Sequence, residues 1–442
     1  MIHCRPTFRY AFLTGIFLIL EFHGFNAVAQ ITNGISGRVT DAVNGSPLPF
    51  AQMAISNSTN GTVTNDDGQF FLVIPEGRLK DTLVVSYLGY ETVKLALGGI
   101  AGKTTEISLK PKEVSLKEVE VVALTPEEVM RRMFNNIPLN YGKDSLLLTA
   151  FYRSQKFTGK KLAEYSEAII VDLKTGYFHQ NSMRDVKFTA GQSNKTQLVK
   201  GRVVSDTNLV NAMGEVGKMA GCLGCIFAED MVENNFRTMF DEEVFRFYTY
   251  KMEELANPDG GKIYHIRFDQ ANNKIKGFKG EIFIDGNSYA LMKIRLRPSF
   301  QGFEAFEKDK GERSYTINQV SGWIAELPLF DKTMIYSKRN GGWYLNTIHD
   351  EQWITFTLPS TGKKIMIGYK NDLVVTDVNR EPEKVRSFKG DKTAGVARRW
   401  DQLAGPADEE FWAHFNYLPV EESLKKAIGN IKSEKRNGEM AK

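Results

Sequence analysis

The chain has 442 residues, and its apolar, aromatic and charged fractions of 42%, 11% and 25% are those of an ordinary globular protein. A chain of this length allows about three domains. The net charge of +4 comes from interspersed Lys, Arg, Asp and Glu, so no nucleic-acid footprint shows and no nucleic-acid partner is expected.

The N-terminus reads as an export signal. Arg5, Arg9 and Tyr10 precede the apolar run Ala11 to Leu20, and Ala27-Val28-Ala29 offers small residues for cleavage. Residues 1–29 are expected to be removed, leaving Gln30 first. Glu21 and His23 end the run too early to cross a bilayer core of ~30 Å. Cys4 lies before the apolar run, where a lipid-modified cysteine cannot be. Beyond Ala29 no run approaches the ~20 apolar residues of a membrane helix. The richest, Leu209 to Val232, carries Glu215, Lys218, Glu229 and Asp230. An exported protein of the periplasm or outer membrane, with no transmembrane segment after cleavage, is expected.

Residues 30–122 form a first unit of short strands. Ile35 to Asp41, Ala51 to Ile55, Gly61 to Val73 with an Asp-Gly turn, Asp81 to Glu91 and Thr104 to Leu109 are separated by turn clusters. Punctuation at about ten-residue intervals indicates a small β-sandwich. Val114 to Val122 is a further candidate strand leaving the unit.

In residues 34 to 110 the order G-R-V-T-D, G-S-P-L-P-F-A, G-T-V-T-N-D-D-G-Q-F and V-V-S-Y-L-G-Y-E is similar to the carboxypeptidase-regulatory-like domain. That domain occurs at the N-terminus of many outer-membrane receptors and surface proteins of Gram-negative bacteria. The resemblance implies a transthyretin-like Greek-key sandwich. It implies no peptidase activity, because the family is named after an accessory domain of zinc carboxypeptidases.

Residues 123–144 read as a helical connector. Thr125 can cap, Pro126 suits the first helical position, and Glu128 completes a T-x-x-E box. Val129, Met130 and Met133 give an apolar stripe, so a helix over about 126–136 ending before Pro138 is expected.

Residues 145–380 read as a large antiparallel β domain of about ten strands. Its clearest stretch runs from Lys276 to Arg297. Phe278, Ile282 and Ile284 alternate with Lys279 and Glu281, and Ala290, Met292, Ile294 and Leu296 alternate with Lys293 and Arg295. Asp285-Gly286-Asn287-Ser288 lies between, the pattern of a hairpin. Asp259-Gly260-Gly261 and Asn340-Gly341-Gly342 mark further hairpin turns. A curved sheet or half-barrel is expected, its concave face closed by helices at 126–136 and 207–234. The order F-Y-R, E-Y-S-E-A, Y-H-I-R-F, K-G-E-I-F-I-D and Y-A-L-M-K-I resembles the large domain that follows such sandwiches in envelope proteins, which is similar to the half-barrel of periplasmic lipoprotein carriers.

Residues 381–442 read as a charged linker to about 405, then C-terminal helices. Asp408 to Trp412 starts one with acids near its positive end. Leu424, Ile428 and Ile431 give the stripe of the last.

No catalytic constellation emerges. The mature chain keeps Cys222 and Cys225 in a C-L-G-C spacing. They could form a local disulfide or sit as small buried residues; a redox pair is the sharper alternative, but no thioredoxin-like strand-helix pattern surrounds them. His179, His265, His349 and His414 are too dispersed for a catalytic zinc centre, so no metal or cofactor is expected. Asn65-Asp66-Asp67-Gly68 fits a hairpin turn better than a calcium loop. Glu253-Glu254 and Asp241-Glu242-Glu243 read as solvated positions. The 29 Phe and 16 Tyr read chiefly as core, with an apolar trough for a ligand as the alternative. These readings point to a non-enzymatic exported envelope protein, a binding or assembly module whose partner is an envelope protein or an apolar ligand. The alternatives are a periplasmic lipid or lipoprotein carrier and a redox protein using the Cys222–Cys225 pair.

Overall fold

Seven short strands build the N-terminal unit of the computed structural model. They are β1 (Gly34–Asp41), β2 (Gln52–Ile55), β3 (Gly61–Val63), β4 (Gln69–Val73), β5 (Thr82–Ser86), β6 (Val93–Ala96) and β7 (Thr104–Leu109), with a one-turn helix α1 (Leu97–Ile100) before the last. The structure describes residues 34–112, 124–177, 195–214, 226–227, 230–235, 245–257, 260–271, 278–299, 323–390 and 408–440. The expected signal peptide and the candidate strand at Val114 to Val122 lie outside them.

The strands form two sheets, in the orders β4-β1-β7 and β3-β2-β5-β6. Alternate residues of each meet in one core. Ile35, Val39, Phe70, Leu72 and Ile107 face Met53, Ile55, Leu83 and Val85. Each such buried aliphatic or aromatic side chain contributes about 1.5–3 kcal/mol relative to exposure. One pairing, β1 with β7, is parallel. The Asn65 to Gly68 segment is the expected turn between β3 and β4. Asn65 Oδ1 accepts from the N–H groups of Asp67 and Gln69 at 3.1 and 2.7 Å. Gly68 has φ of +75°, and a Cβ there would lie 2.6 Å from the Val39 carbonyl oxygen.

Helix α2 (Pro126–Asn140) leads into the large sheet. Thr125 caps it by accepting from the Glu128 N–H at 3.2 Å. It runs four residues beyond the expected end and passes through Pro138. A proline there removes only the N–H that Phe134 would have accepted, and the Tyr141 N–H still reaches the Ile137 carbonyl at 3.0 Å, so the last turn closes around it.

Ten strands follow: β8 (Leu146–Thr158), β9 (Lys161–Lys174), β10 (Lys195–Ser205), β11 (Tyr248–Ala256), β12 (Lys262–Gln270), β13 (Phe278–Asp285), β14 (Leu291–Pro298), β15 (Ile324–Arg339), β16 (Gly342–Leu358) and β17 (Lys363–Asn379). They pair antiparallel in one open sheet, ordered β10-β9-β8-β17-β16-β15-β14-β13-β12-β11. From Phe278 on, the expected hairpin stretch forms the β13–β14 hairpin. Asn340 and Gly341, with φ of 45° and 86°, turn β15 into β16.

Among the described residues the remaining helices are α3 (Thr207–Ala212), α4 (Pro382–Ser387), α5 (Glu409–Trp412) and α6 (Glu422–Met440), with a π turn at Met231–Asn235. The helix expected over 207–234 is thus replaced, among the described residues, by one short helix and this turn. Six residues of the expected linker form α4. No helix among the described residues is long and apolar enough to cross a membrane.

Candidate functional site

Alternation gives the large sheet two faces, and they are used differently. The inner face carries the main core. Val129, Met130, Met133 and Ile137 of α2 pack there with Ile226, Phe227, Met231 and Val232, against Tyr264, Ile266, Ile282, Ile294, Tyr336 and Leu373. A second inner cluster, Ala163, Ile354, Phe356, Ile367 and Tyr369, is joined by Leu209, Val210 and Met213 around α3. The aromatics of this face are core, and the described part of the expected apolar trough is filled by the chain itself.

A buried ionic group lies within that core. Lys174 contacts the Asp230 carboxylate closely and Glu233 Oε2 at 3.0 Å, all three side chains being 1% exposed or less. Tyr336 donates to Asp230 Oδ1 at 2.7 Å, and the Val232 N–H reaches the same oxygen at 3.1 Å. Burial opposes the Lys174 charge, but the two carboxylates outweigh it and hold the ammonium protonated well above its usual range. The group ties residues 230–233 to the end of β9. Beside it, burial pushes the Asp172 carboxyl up to about 6 against the Thr196 hydroxyl, which donates to it at 2.6 Å. Among the described residues, no three His, Cys, Asp or Glu side chains could hold a metal ion.

The outer face of β8, β9, β16 and β17 is covered by the sandwich and the C-terminal tail. Phe151, Ile169 and Val374 meet Val63 of the sandwich and Trp412 and Leu418 of the tail, flanked by Phe50, Phe411, Phe415 and Tyr417. Arg153 sits at the centre and is fully buried. It donates to Glu167 Oε1 at 2.8 Å, to Glu421 at 3.1 Å and to the carbonyls of Leu418 and Pro419. Burial opposes its charge, but Tyr165, Glu167 and Glu421 more than offset this and raise its pKa. Burial raises Glu421, whereas for Glu167 the pull of Arg153 and Arg202 outweighs burial and keeps it below its usual range.

Further polar contacts cross this junction. Asn416 accepts from the Val73 N–H at 2.6 Å and donates to the Gly61 carbonyl at 3.0 Å. Lys370 pairs with Asp66. Thr59 donates to Asp377 at 2.7 Å. Arg339, whose pKa burial pulls down to about 10, donates to the carbonyls of Thr59 and Val375 at 2.9 and 3.0 Å. The Asn65 to Gly68 turn is therefore also a docking element, since Asn65 donates to the Pro419 carbonyl at 3.0 Å.

The outer face of β11 to β14 is open and charged. His265 lies with Nδ1 2.7 Å from Glu253 and Nε2 3.3 Å from Glu281, its ring stacked on Phe283 at 4.1 Å. Arg267 pairs with Glu253, and Arg295 grips Asp331 with two nitrogens. Glu253 and Glu254, read as solvated, are 47% and 33% exposed and also ion-paired, Glu254 with Lys262 at 2.8 Å. Burial lowers the Lys293 ammonium pKa although Glu281 opposes the change. Beside this row runs a groove of about 270 Å³ lined by Lys251, Arg267, Asp269, Lys279, Glu281 and Arg297, among others.

Of the residues singled out from sequence, Cys222, Cys225 and His179 lie outside the described residues. His265 occupies the expected sheet position, on β12. His349 is on β16, bonded to Asp372 at 2.7 Å. Sequence reasoning passed over Arg153, Lys174 and the groove cations. Their partners are set by strand register and by chain segments far away, which leave no local pattern.

Residues 35–121 match the CarboxypepD_reg-like domain family. Over 107 residues the chain is 32% identical to the TonB-dependent receptor P39 of Formosa agariphila, a stretch that is 24% of this chain and 9% of the receptor. The N-terminal sandwich is thus a CarboxypepD_reg-like domain, and the chain spans only a small part of that relative's length. Among solved structures, an outer membrane lipoprotein-sorting protein domain from Vibrio parahaemolyticus is 10% identical, with 59% of this chain and 95% of that chain covered and a TM-score of 0.21. A LolA superfamily protein from Nitrosomonas europaea is 12% identical, with 60% and 99% covered and a TM-score of 0.20. A membrane-associated protein of unknown function from Bacteroides fragilis is 11% identical, with 78% and 98% covered and a TM-score of 0.15. TM-scores this low establish neither fold nor function for this chain.

Proposed function

We propose that this chain is a non-catalytic binding or assembly module of the Gram-negative cell envelope, exported to the periplasm or the outer-membrane surface. The observation that carries the reading is the attachment of the CarboxypepD_reg-like sandwich to the large sheet. Polar contacts join the three parts: Arg153 of the sheet binds Glu421 of the tail, Asn416 of the tail binds the Gly61 carbonyl of the sandwich, and Arg339 of the sheet binds the Thr59 carbonyl of the sandwich. A module that presents surfaces at fixed spacing is what such a junction supports. The likeness of a 107-residue stretch of the chain to part of a TonB-dependent receptor supports the envelope address. The Lys174 group has acid and base partners, but side-chain exposures of 1% or less deny a substrate access to it.

The test is turnover and capture together. The purified mature protein is assayed on peptides and glycans, and photo-crosslinkers on the exposed sandwich surface are activated in intact cells. No turnover is expected, with crosslinks to an envelope component that weaken when Arg153→Ala loosens the junction. Hydrolysis abolished by a single point change would overturn the proposal.

A lipid carrier needs an accessible apolar trough. For this chain to be one, α2 and residues 226–232 would have to leave the inner face. Lipid found on the purified protein by mass spectrometry, with Met130 and Met133 becoming oxidisable on loading, would move the assignment there. For the redox alternative, unchanged reductase or oxidase turnover in Cys225→Ser would remove the pair from consideration.

A further inference from the structure

The buried Lys174 group holds an amine, an acid and a second carboxylate in mutual contact, and all three belong to the chain. Lys174 is the last residue of β9, and Asp230 lies 56 residues further on. The side chains of Lys174, Asp230 and Glu233 are 1% exposed or less. Aromatic rings wall the group. Lys174 Nζ is 4.3 Å from the Tyr177 ring centre, and Tyr141 packs on Tyr177 at 5.2 Å and on Tyr336 at 5.6 Å. A buried ion pair is weak evidence for stability, so the arrangement of the groups is the more informative feature.

Asp230 is held as an electrophile would be. Its Oδ1 accepts from the Tyr336 hydroxyl at 2.7 Å and from the Val232 N–H at 3.1 Å. Two donors on one oxygen stabilise the charge that gathers there when a carboxyl carbon is attacked. The other oxygen, Oδ2, faces the Lys174 ammonium. Glu233 Oε2 is 3.0 Å from the same nitrogen, within reach of its protons.

We propose that Lys174 and Asp230 join in an intramolecular isopeptide bond, with Glu233 as the proton carrier. The ammonium first passes a proton to Asp230 Oδ2, which leaves a neutral amine beside a neutral acid. In a dry site this exchange removes two buried charges. The amine then attacks Asp230 Cγ and forms the C–N bond, while charge collects on Oδ1 against Tyr336 and Val232. Glu233 takes a second proton from the nitrogen and delivers it to Oδ2. The Cγ–Oδ2 bond breaks, and Oδ2 leaves as water. An ammonium and a carboxylate become an amide and one water, Glu233 ends as the carboxylate it began as, and no co-reactant is needed. The two carboxylates hold the Lys174 proton tightly, which slows the first transfer. Against this, groups fixed as neighbours react as though present at about 10⁵–10⁸ M, and exclusion of water opposes the reverse hydrolysis. The reaction occurs once per chain and turns over no substrate. The bond fixes the segment carrying Phe227, Met231 and Val232 on the inner face of the sheet.

The test is the mass of the denatured mature protein. It is expected to fall short of the mass given by the sequence by one water. Proteolysis and tandem mass spectrometry are expected to return a branched peptide joining Lys174 to Asp230. K174R keeps the positive charge but offers no free amine, and is expected at full mass. E233Q is expected to link roughly 10²-fold more slowly or worse, the low end of what a positioned acid–base group supplies; a time course of the linked fraction reads this. Circular dichroism shows whether each variant has folded, and the native mass and peptide map decide the matter even where one has not. A native chain at full mass, a deficit that persists in K174R, or a branch at Glu233 in place of Asp230 would overturn the proposal. E233Q linking as fast as the native chain would remove Glu233 from the proton path.

Discussion

The outer face of the large sheet has two halves that treat charge in opposite ways. On β8, β9 and β17 a cation is buried and surrounded: Arg153 lies in register between Glu167 and Asp372 and is capped by Glu421 from the tail. On β11 to β14 Lys251, Arg267 and Arg297 are exposed, and Lys251 faces Arg267 and Lys279 faces Arg297 across the ladder. The first half shows what an ionic contact does when geometry satisfies every donor: it fixes which segment docks where. The second sets like charges across a ladder, where they repel, and places acids beside them, as Arg267 lies in register between Lys251 and Glu281.

The largest effect expected from breaking this contrast is at Arg153. A buried ion pair adds little net stability over a hydrophobic replacement, but removing one partner leaves the others charged and unpaired. Arg153→Ala is expected to destabilise by about 3–5 kcal/mol. Urea unfolding of the purified protein measures it. A loss below about 1 kcal/mol, the range of exposed pairs, would mean that water reaches the junction and that the half called covered is not. Glu421→Gln is expected to cost less, because Glu421 already has its carboxyl pKa raised by burial despite Arg153. A double-mutant cycle gives the coupling between the two.

Next comes the pH dependence of the same junction. His349 is bonded to Asp372 and lies 5.0 Å from the Phe50 ring of the sandwich. Burial opposes the imidazolium, but the Asp372 bond and charge prevail and raise His349 above 6.5. Burial also opposes the Asp372 carboxylate, yet His349, Lys370 and Arg153 keep its pKa below 3.8. A raised histidine contributes stability fully below 6.5 and loses it as pH climbs through the folded value. A depressed carboxylate contributes above 3.8 and loses it as pH falls through its own. The pair therefore supports the junction most between those two ordinary values, and unfolding free energy should decline on the alkaline side of 6.5. His349→Asn should flatten that decline. Parallel profiles for the two proteins between about pH 6 and 9 would remove His349 from the account.

The two halves also differ in how far sequence discloses them. Strand alternation was plain in the Lys276 to Arg297 hairpin, and the Leu424, Ile428 and Ile431 stripe of α6 packs on Leu162 and Tyr165 as its spacing requires. β10 escaped notice because a register shift between Leu198 and Lys200 breaks its alternation and leaves Val199 39% exposed. Arg153 in F-Y-R looks like any solvated strand position, since Glu421 lies 268 residues on. Asp66 looks like a turn residue, and its partner Lys370 is 304 residues away. The opposed cations of the open half are invisible without register, because a shift of one residue would place them elsewhere. Local physics wrote the strands; the junction and the groove depend on which strands became neighbours.

The smallest effect sharpens the contrast most. Where cations oppose each other across the ladder, neutralising one member of a pair should stabilise the protein. Lys251→Gln and Arg297→Gln are each expected to raise stability by a few tenths of a kcal/mol, up to about 0.5, by relieving repulsion across the ladder. The gain should shrink as salt is raised from about 0.01 to 0.15 M, because the Debye length falls from ~30 to ~8 Å. The control change Lys364→Gln, on an exposed residue of β17, should do neither. Thermal melts at the two salt concentrations read the sign directly. A destabilisation at both positions would show that Lys251 and Arg297 have partners holding them in the sheet, and the open half would then be built on the same rule as the covered one.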